Sequence, residues 1–164
     1  MEGLVRRYNA LVSDAYRAGD FRIVLPVVGA DEARRLTGHI GARVDQGLTL
    51  DAQLSELTFR GIERKGDEVV VSTEERWVYA DRRMGSGEPV GPDARDRYEM
   101  RYHLRKLDGR WIVDRTEFAS KPETSRPVQP MQGDARSMHG WSEPTREAPA
   151  PTPAPAAPAD GGVR

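Results

Sequence analysis

Tyr98-Glu99-Met100-Arg101-Tyr102-His103-Leu104-Arg105-Lys106-Leu107-Asp108-Gly109-Arg110-Trp111-Ile112-Val113 decides how this chain folds. Its first half alternates, with Tyr98, Met100, Tyr102 and Leu104 on one side and Arg97, Glu99, Arg101, His103 and Arg105 on the other. A period of two with an apolar and a charged side is a strand that buries one face and wets the other. Asp108-Gly109 is a preferred pair for a two-residue hairpin turn, because both positions accept positive φ. Trp111 to Phe118 then returns as the last strand, and Trp111 is expected to pack across the sheet edge onto the first helix.

Working backward, the Gly/Pro-rich loop Met84 to Pro92 separates this hairpin from an earlier one. Val69, Val71, Thr73, Glu75, Trp77 and Tyr79 occupy one face of a long strand, Lys65-Gly66-Asp67 forms its turn, and Leu57 and Phe59 lie on the strand before it. Upstream of Leu50 the period is helical. Leu4, Tyr8, Leu11, Val12, Ala15 and Tyr16 make one face of a helix from Glu2 to Ala18, and Gly19 ends it in the left-handed C′ position. Asp20 caps a short second helix, Phe21 to Val28, which Pro26 limits and Gly29 closes. A third helix takes Asp31 as its N-cap, places Ala33, Leu36, Ile40 and Val44 on one face, and ends at Gly47. Gly38 and Gly41 weaken it by roughly 1 kcal/mol each unless they let it approach the sheet closely. Helices followed by a four-strand antiparallel meander make an α+β fold.

Of 164 residues, 37% are hydrophobic and 31% are charged, enough for one modest core. The composition shifts near residue 120, which divides the chain into a folded domain, 1–120, and a tail, 121–164. The tail holds 9 of the 12 prolines and ends in a Pro/Ala run, Ala148 to Ala159, so a disordered tail is expected there, with a docking motif around Trp141 as the alternative. Lys plus Arg number 25 and Asp plus Glu 26, a formal charge of −1 with mixed signs, which offers no field for nucleic acid. Without cysteine there is no disulfide, thiolate metal site or cysteine nucleophile. No apolar run approaches the roughly 20 residues that span a bilayer, so no membrane insertion by this chain is expected. It reads as soluble and cytoplasmic unless an upstream anchor or signal is missing. A start almost directly inside a helix suits a complete small protein and the excised soluble part of an anchored one equally.

The helix Leu4 to Ala18, the Arg-Ala-Gly-Asp turn at 17–20 and the ending from Tyr98 to Val113 resemble the nuclear transport factor 2-like superfamily, whose curved sheet wraps on helices. Within it, the Tyr-x-x-x-Tyr-x-Leu strand, the Asp-Gly-Arg-Trp turn and Thr73-Glu74-Glu75-Arg76-Trp77 most resemble the IMS-type domain of plastid-division factors and of bacterial proteins of unknown role. The resemblance spans about residues 4 to 118 and implies N-terminal helices on a curved four-stranded antiparallel sheet, a cone with a pocket inside. It also implies that enzymes of this kind, similar to ketosteroid isomerase or the polyketide cyclases, carry an Asp or His there as proton carrier.

The inward face offers Trp77, Tyr79, Tyr98, Met100 and Tyr102 as candidate ligand-binding residues. Glu75 shares that face, and a carboxylate desolvated between aromatics can acquire a raised pKa suited to acid/base work. The competing reading is an ion pair between Glu75 and an arginine on a neighbouring strand. His103 is expected on the solvent face, His39 in a helix and His139 in the tail, so no metal spacing arises and neither metal nor cofactor is expected. The Met84-Gly85-Ser86-Gly87 loop precedes no helix that could present its N-terminus to a phosphate. The favoured function is a non-catalytic module that binds a protein partner or a small apolar ligand. The alternative is a small cyclase- or isomerase-like enzyme using Glu75 with Tyr98 or Tyr102 as donor. The charged stripe of Arg97, Arg101 and Arg105 suggests a solvated outer face more than an acidic partner's seat, and hence a monomer or weak dimer.

Overall fold

A computed structural model describes residues 1–120 and 123–124. Helix α1, Glu2–Ala18, ends at Gly19, whose φ of 66° is the left-handed conformation expected of it. A 3₁₀ turn, Phe21–Val27, follows Asp20, whose carboxylate accepts from the Arg22 N–H as its cap. Helix α2, Ala30–Asp45, then leads into four strands: β1 Leu48–Lys65, β2 Glu68–Arg83, β3 Ala94–Leu107 and β4 Arg110–Phe118. They pair antiparallel in the order β1-β2-β3-β4. The α+β order of helices before an antiparallel meander is therefore observed.

Several local expectations are corrected. The N-cap of α2 is Gly29, while Asp31 falls in the first turn, where its charge favours the helix N-terminus. Gly29 is set by proximity: its N–H donates to Val113 O at 2.8 Å, and a Cβ there would stand 2.5 Å from the Asp114 carboxylate. Gly38 and Gly41 do not serve close packing, since a Cβ at either meets nothing within 4 Å. Strand β1 begins at Leu48 and runs 18 residues, with register shifts between Leu54 and Glu56 and between Phe59 and Gly61. Those bulges break the period of two, which hid the length of the strand in the sequence. The folded region also extends past 120, because Glu123–Thr124 form a short β5 pairing with Asp96 and Arg97 of β3. The rest of the expected tail, Trp141 included, lies outside the described residues.

The core lies between the helices and one face of the sheet. Val5, Tyr8 and Ala15 of α1 and Leu36 and Ile40 of α2 meet Val69 and Val71 of β2, Tyr102 and Leu104 of β3 and Val113 of β4. Burying one such side chain contributes about 1.5 to 3 kcal/mol. Trp111 is only half-buried: it packs against this core on one side and carries the Lys106 ammonium 5.6 Å above its ring on the other. The Asp108-Gly109 turn has φ of 49° and 79°, so both residues are left-handed as the hairpin requires.

Candidate functional site

The helix-side face of the sheet has two zones, one sealed and one that runs from buried to exposed. In the sealed zone Glu75 is 2% exposed. Its carboxylate accepts from Thr73 Oγ1 at 2.8 Å, from Trp77 Nε1 at 2.8 Å, from Asn9 Nδ2 at 3.4 Å, and from the Tyr102 hydroxyl. Among the described residues no arginine pairs with it; neutral donors from α1, β2 and β3 bind the carboxylate instead. Three of the donors meet Oε1 and one meets Oε2, so the group is buried without being orphaned. Burial, then the charge of Glu75, holds the Tyr102 phenol well above its ordinary pKa, which keeps it a donor.

A second buried carboxylate, Glu32 of α2, mirrors this arrangement and was missed in the sequence, because an apolar face was sought there and Glu32 directly precedes it. Glu32 accepts from the Tyr8 hydroxyl, from Arg35 through Nε at 3.0 Å and Nη2 at 2.6 Å, and from Thr116 Oγ1 at 3.2 Å. The signal that could have found it is the Glu32/Arg35 spacing of three, which sets a cation over a carboxylate on one helix face. Burial, then Glu32, raises the Tyr8 pKa. The rings of Tyr8 and Tyr102 meet edge to face at 5.7 Å, so the two carboxylate–tyrosine pairs sit back to back.

The second zone begins at Trp77, itself only 6% exposed, whose indole N–H reaches back to Glu75. The Trp77 and Tyr79 rings stack at 5.9 Å with planes 5° apart, Tyr79 meets Tyr98 at 6.4 Å, and Tyr98 meets Phe118 at 5.4 Å. This aromatic row crosses β2, β3 and β4. Trp77, Tyr79 and Tyr98 pack with Leu50 and Ala52 in a second cluster that Tyr16 of α1 joins to the main core, while Phe118 at the end of the row is 55% exposed. Of the five expected ligand-binding residues, Trp77, Tyr79 and Tyr98 thus come together. Met100 is half-buried opposite Thr73 and Phe118 in register, while Tyr102 is 1% exposed and committed to Glu75 and Asn9. Phe118 belongs with the row but was read only as the end of a strand.

The outer face balances its own charge. Arg97 donates to Glu74 at 2.8 Å, Arg60 also binds Glu74, Arg105 binds Asp114 at 2.6 Å, and Arg101 stands 3.7 Å from Glu117. His103 departs from expectation: it is 6% exposed, with Glu68, Glu117 and Arg115 against its ring. Its Nδ1 lies 2.9 Å from Glu68, and its Nε2 stands 3.2 Å from Glu117, off the line of a hydrogen bond. Two open grooves are present, one of about 770 Å³ whose lining includes Arg76, Arg95 and Arg97 but also Trp77 and Asp96, and one of about 510 Å³ beside Glu74 and Arg101. Neither is lined by Glu75 or Tyr102. Among the described residues no group of three or more His, Asp or Glu side chains could hold a metal ion, and no helix is long and apolar enough to cross a membrane.

No family model matches this chain, and no curated protein does. Among solved structures, the intermembrane space region of the chloroplast protein ARC6 is similar, with a TM-score of 0.62 at 14% identity over 71% of this chain and 92% of that one. RPA3114, a SEC-C motif-containing protein from Rhodopseudomonas palustris, aligns at 20% identity over 65% of this chain and 72% of that one, but its TM-score of 0.39 carries no argument. At such identity the first similarity is one of fold: the chain shares the architecture of an intermembrane-space region of a chloroplast protein.

Proposed function

We propose that this chain is a non-catalytic binding module of the nuclear transport factor 2-like kind, nearest to the IMS-type domain, and that its aromatic row holds an apolar or aromatic segment of a protein partner or a small apolar ligand. The observation that carries this reading is the row Trp77, Tyr79, Tyr98 and Phe118, which runs from a buried indole through two half-buried tyrosines to an exposed phenylalanine. Exposed aromatic surface beside polar groups is what recognition sites use, because stacking and desolvation contribute together. The fold shared with an intermembrane-space region agrees with a module of this kind.

Against the enzyme alternative stands the placing of Glu75: a general base must reach the proton it takes, and this carboxylate is 2% exposed and already bound by four protein donors. Tyr102, its intended hydrogen-bond donor, is the group that closes it off.

Selection of binders from a random peptide library on the full chain tests the reading. The peptides recovered should be rich in aromatic and aliphatic residues, should lose at least about tenfold in affinity against Phe118→Asp, and should bind Glu75→Gln unchanged provided it folds. Binders indifferent to Phe118→Asp would place recognition elsewhere. Turnover of small enolisable ketones or epoxides that vanished in a folded Glu75→Gln protein would restore the enzyme.

A further inference from the structure

Strand β1 is paired on one side only. The order β1-β2-β3-β4 leaves its other flank free, and among the described residues no strand pairs there along Leu48–Lys65. Its second half is exposed from Arg60 to Lys65, and Ile62 is 51% exposed, an apolar side chain with no helix above it. An edge of this length with an uncovered isoleucine is a template for another strand.

The sequence of β1 complements itself. Laid antiparallel with Thr58 opposite Thr58 of a second copy, Leu57 opposes Phe59, Glu56 opposes Arg60, and Leu54 opposes Ile62. Directly opposed residues in an antiparallel pair share a face, so apolar meets apolar, positive meets negative, and the two-fold axis repeats each pair. Shifting the centre to Phe59 opposes Glu56 to Ile62 and Leu54 to Arg64; shifting it to Leu57 opposes Leu54 to Arg60. Either slip sets a charge against an apolar group. The Glu56 and Arg60 side chains are each more than half exposed, so both can bond across the axis while keeping Arg76 and Glu74 on their own chain. The bulges beside Ser55 and Arg60 leave Glu56–Phe59 as the regular centre and set the Leu54–Ile62 contact just beyond it, which keeps the association weak.

We propose that β1 is a self-recognition edge: two copies of this chain join β1 to β1, antiparallel about Thr58, into one continuous sheet. This dimer uses the edge of the sheet and leaves both of its faces uncovered, so it is independent of the aromatic row and of the function assigned to it.

The chain has no cysteine, so Thr58→Cys places a single thiol on the two-fold axis. Opposed Cα atoms of an antiparallel pair lie about 4.5 to 5.5 Å apart, inside the roughly 4.4 to 6.8 Å that a disulfide spans. Under mild oxidation full-length Thr58→Cys should form a disulfide-linked dimer at least about tenfold faster than Ser86→Cys, a control in the exposed β2–β3 loop. Sedimentation of the unaltered chain should rise with concentration from 18.3 kDa toward twice that mass. Ile62→Lys should move the midpoint of that rise at least about tenfold higher without lowering the melting temperature, since the isoleucine is half exposed in the single chain. A constant single-chain mass, a dimer indifferent to Ile62→Lys, or equal cross-linking of the two cysteine variants would each overturn the proposal.

Discussion

Two buried carboxylates with different partners make a direct comparison of what satisfies a buried charge. Glu32 has a guanidinium and two hydroxyls, whereas Glu75 has neutral donors only. Tyr102→Phe should therefore cost about 1 to 3 kcal/mol in urea melts, the range for a buried polar group losing a partner, and Tyr8→Phe should cost less because Arg35 remains. An equal or reversed order would show that the arginine does not compensate Glu32. Glu74 gives a pH signature. Arg97 first and Arg60 second hold it at about 2, below its ordinary 4.5. A carboxylate lowered in the folded state contributes stability above its unfolded pKa and loses it as the pH falls, here between about 4.5 and 2. Glu74→Gln should flatten the acid limb of stability in that window; an unchanged limb would assign acid sensitivity to other groups. Glu117, lowered by its contact with His103, adds to the same limb with the same sign.

At the scale of elements, the glycines of α2 separate conformational cost from packing need. Gly38 and Gly41 sit mid-helix facing open space, so Ala at each should stabilise the protein by about 0.5 to 1 kcal/mol through helix propensity and a less flexible unfolded chain. Gly29→Ala should do the opposite, because the added methyl meets Asp114 where α2 starts against β4. Thermal melts of the three variants check both signs, and a stable Gly29→Ala protein would mean that the start of α2 can slide. Elements were legible where one period ran unbroken: β3, α1 with its glycine stop, and the odd-numbered face of β2; the shift between His103 and Leu104 in the β3–β4 pairing was not. They were not legible where a tertiary contact overrode the local signal. Asp31 has the chemistry of a cap, but Gly29 wins the position through its bond to Val113, and β1 changes phase twice. Trp111 and His103 fail for one reason: alternation assigns a side, and long charged side chains, Lys106 over Trp111 and Arg115, Glu68 and Glu117 beside His103, then decide how much of that side meets water.

At the scale of the whole domain, both carboxylate sites bridge layers, Glu75 from the sheet to α1 and Glu32 from α2 to α1 and β4. Helix loss and loss of tertiary structure should therefore coincide: far- and near-ultraviolet circular dichroism should follow one urea transition. Two separated transitions would show that the sheet persists without its helices. The aromatic row was half legible, since facing places Trp77, Tyr79 and Tyr98 together, but only three-dimensional pairing adds Phe118 and removes Tyr102. The crossing at Val28, which makes a parallel bridge to Val113 beside the Gly29 bond, acts on the far flank. It interrupts the run of free backbone groups along β4, so the sheet is open for pairing on one flank and obstructed on the other. Endless growth by edge addition needs two receptive flanks. A sheet with one receptive flank stops at a pair, and heat or crowding should not draw this folded domain into threads.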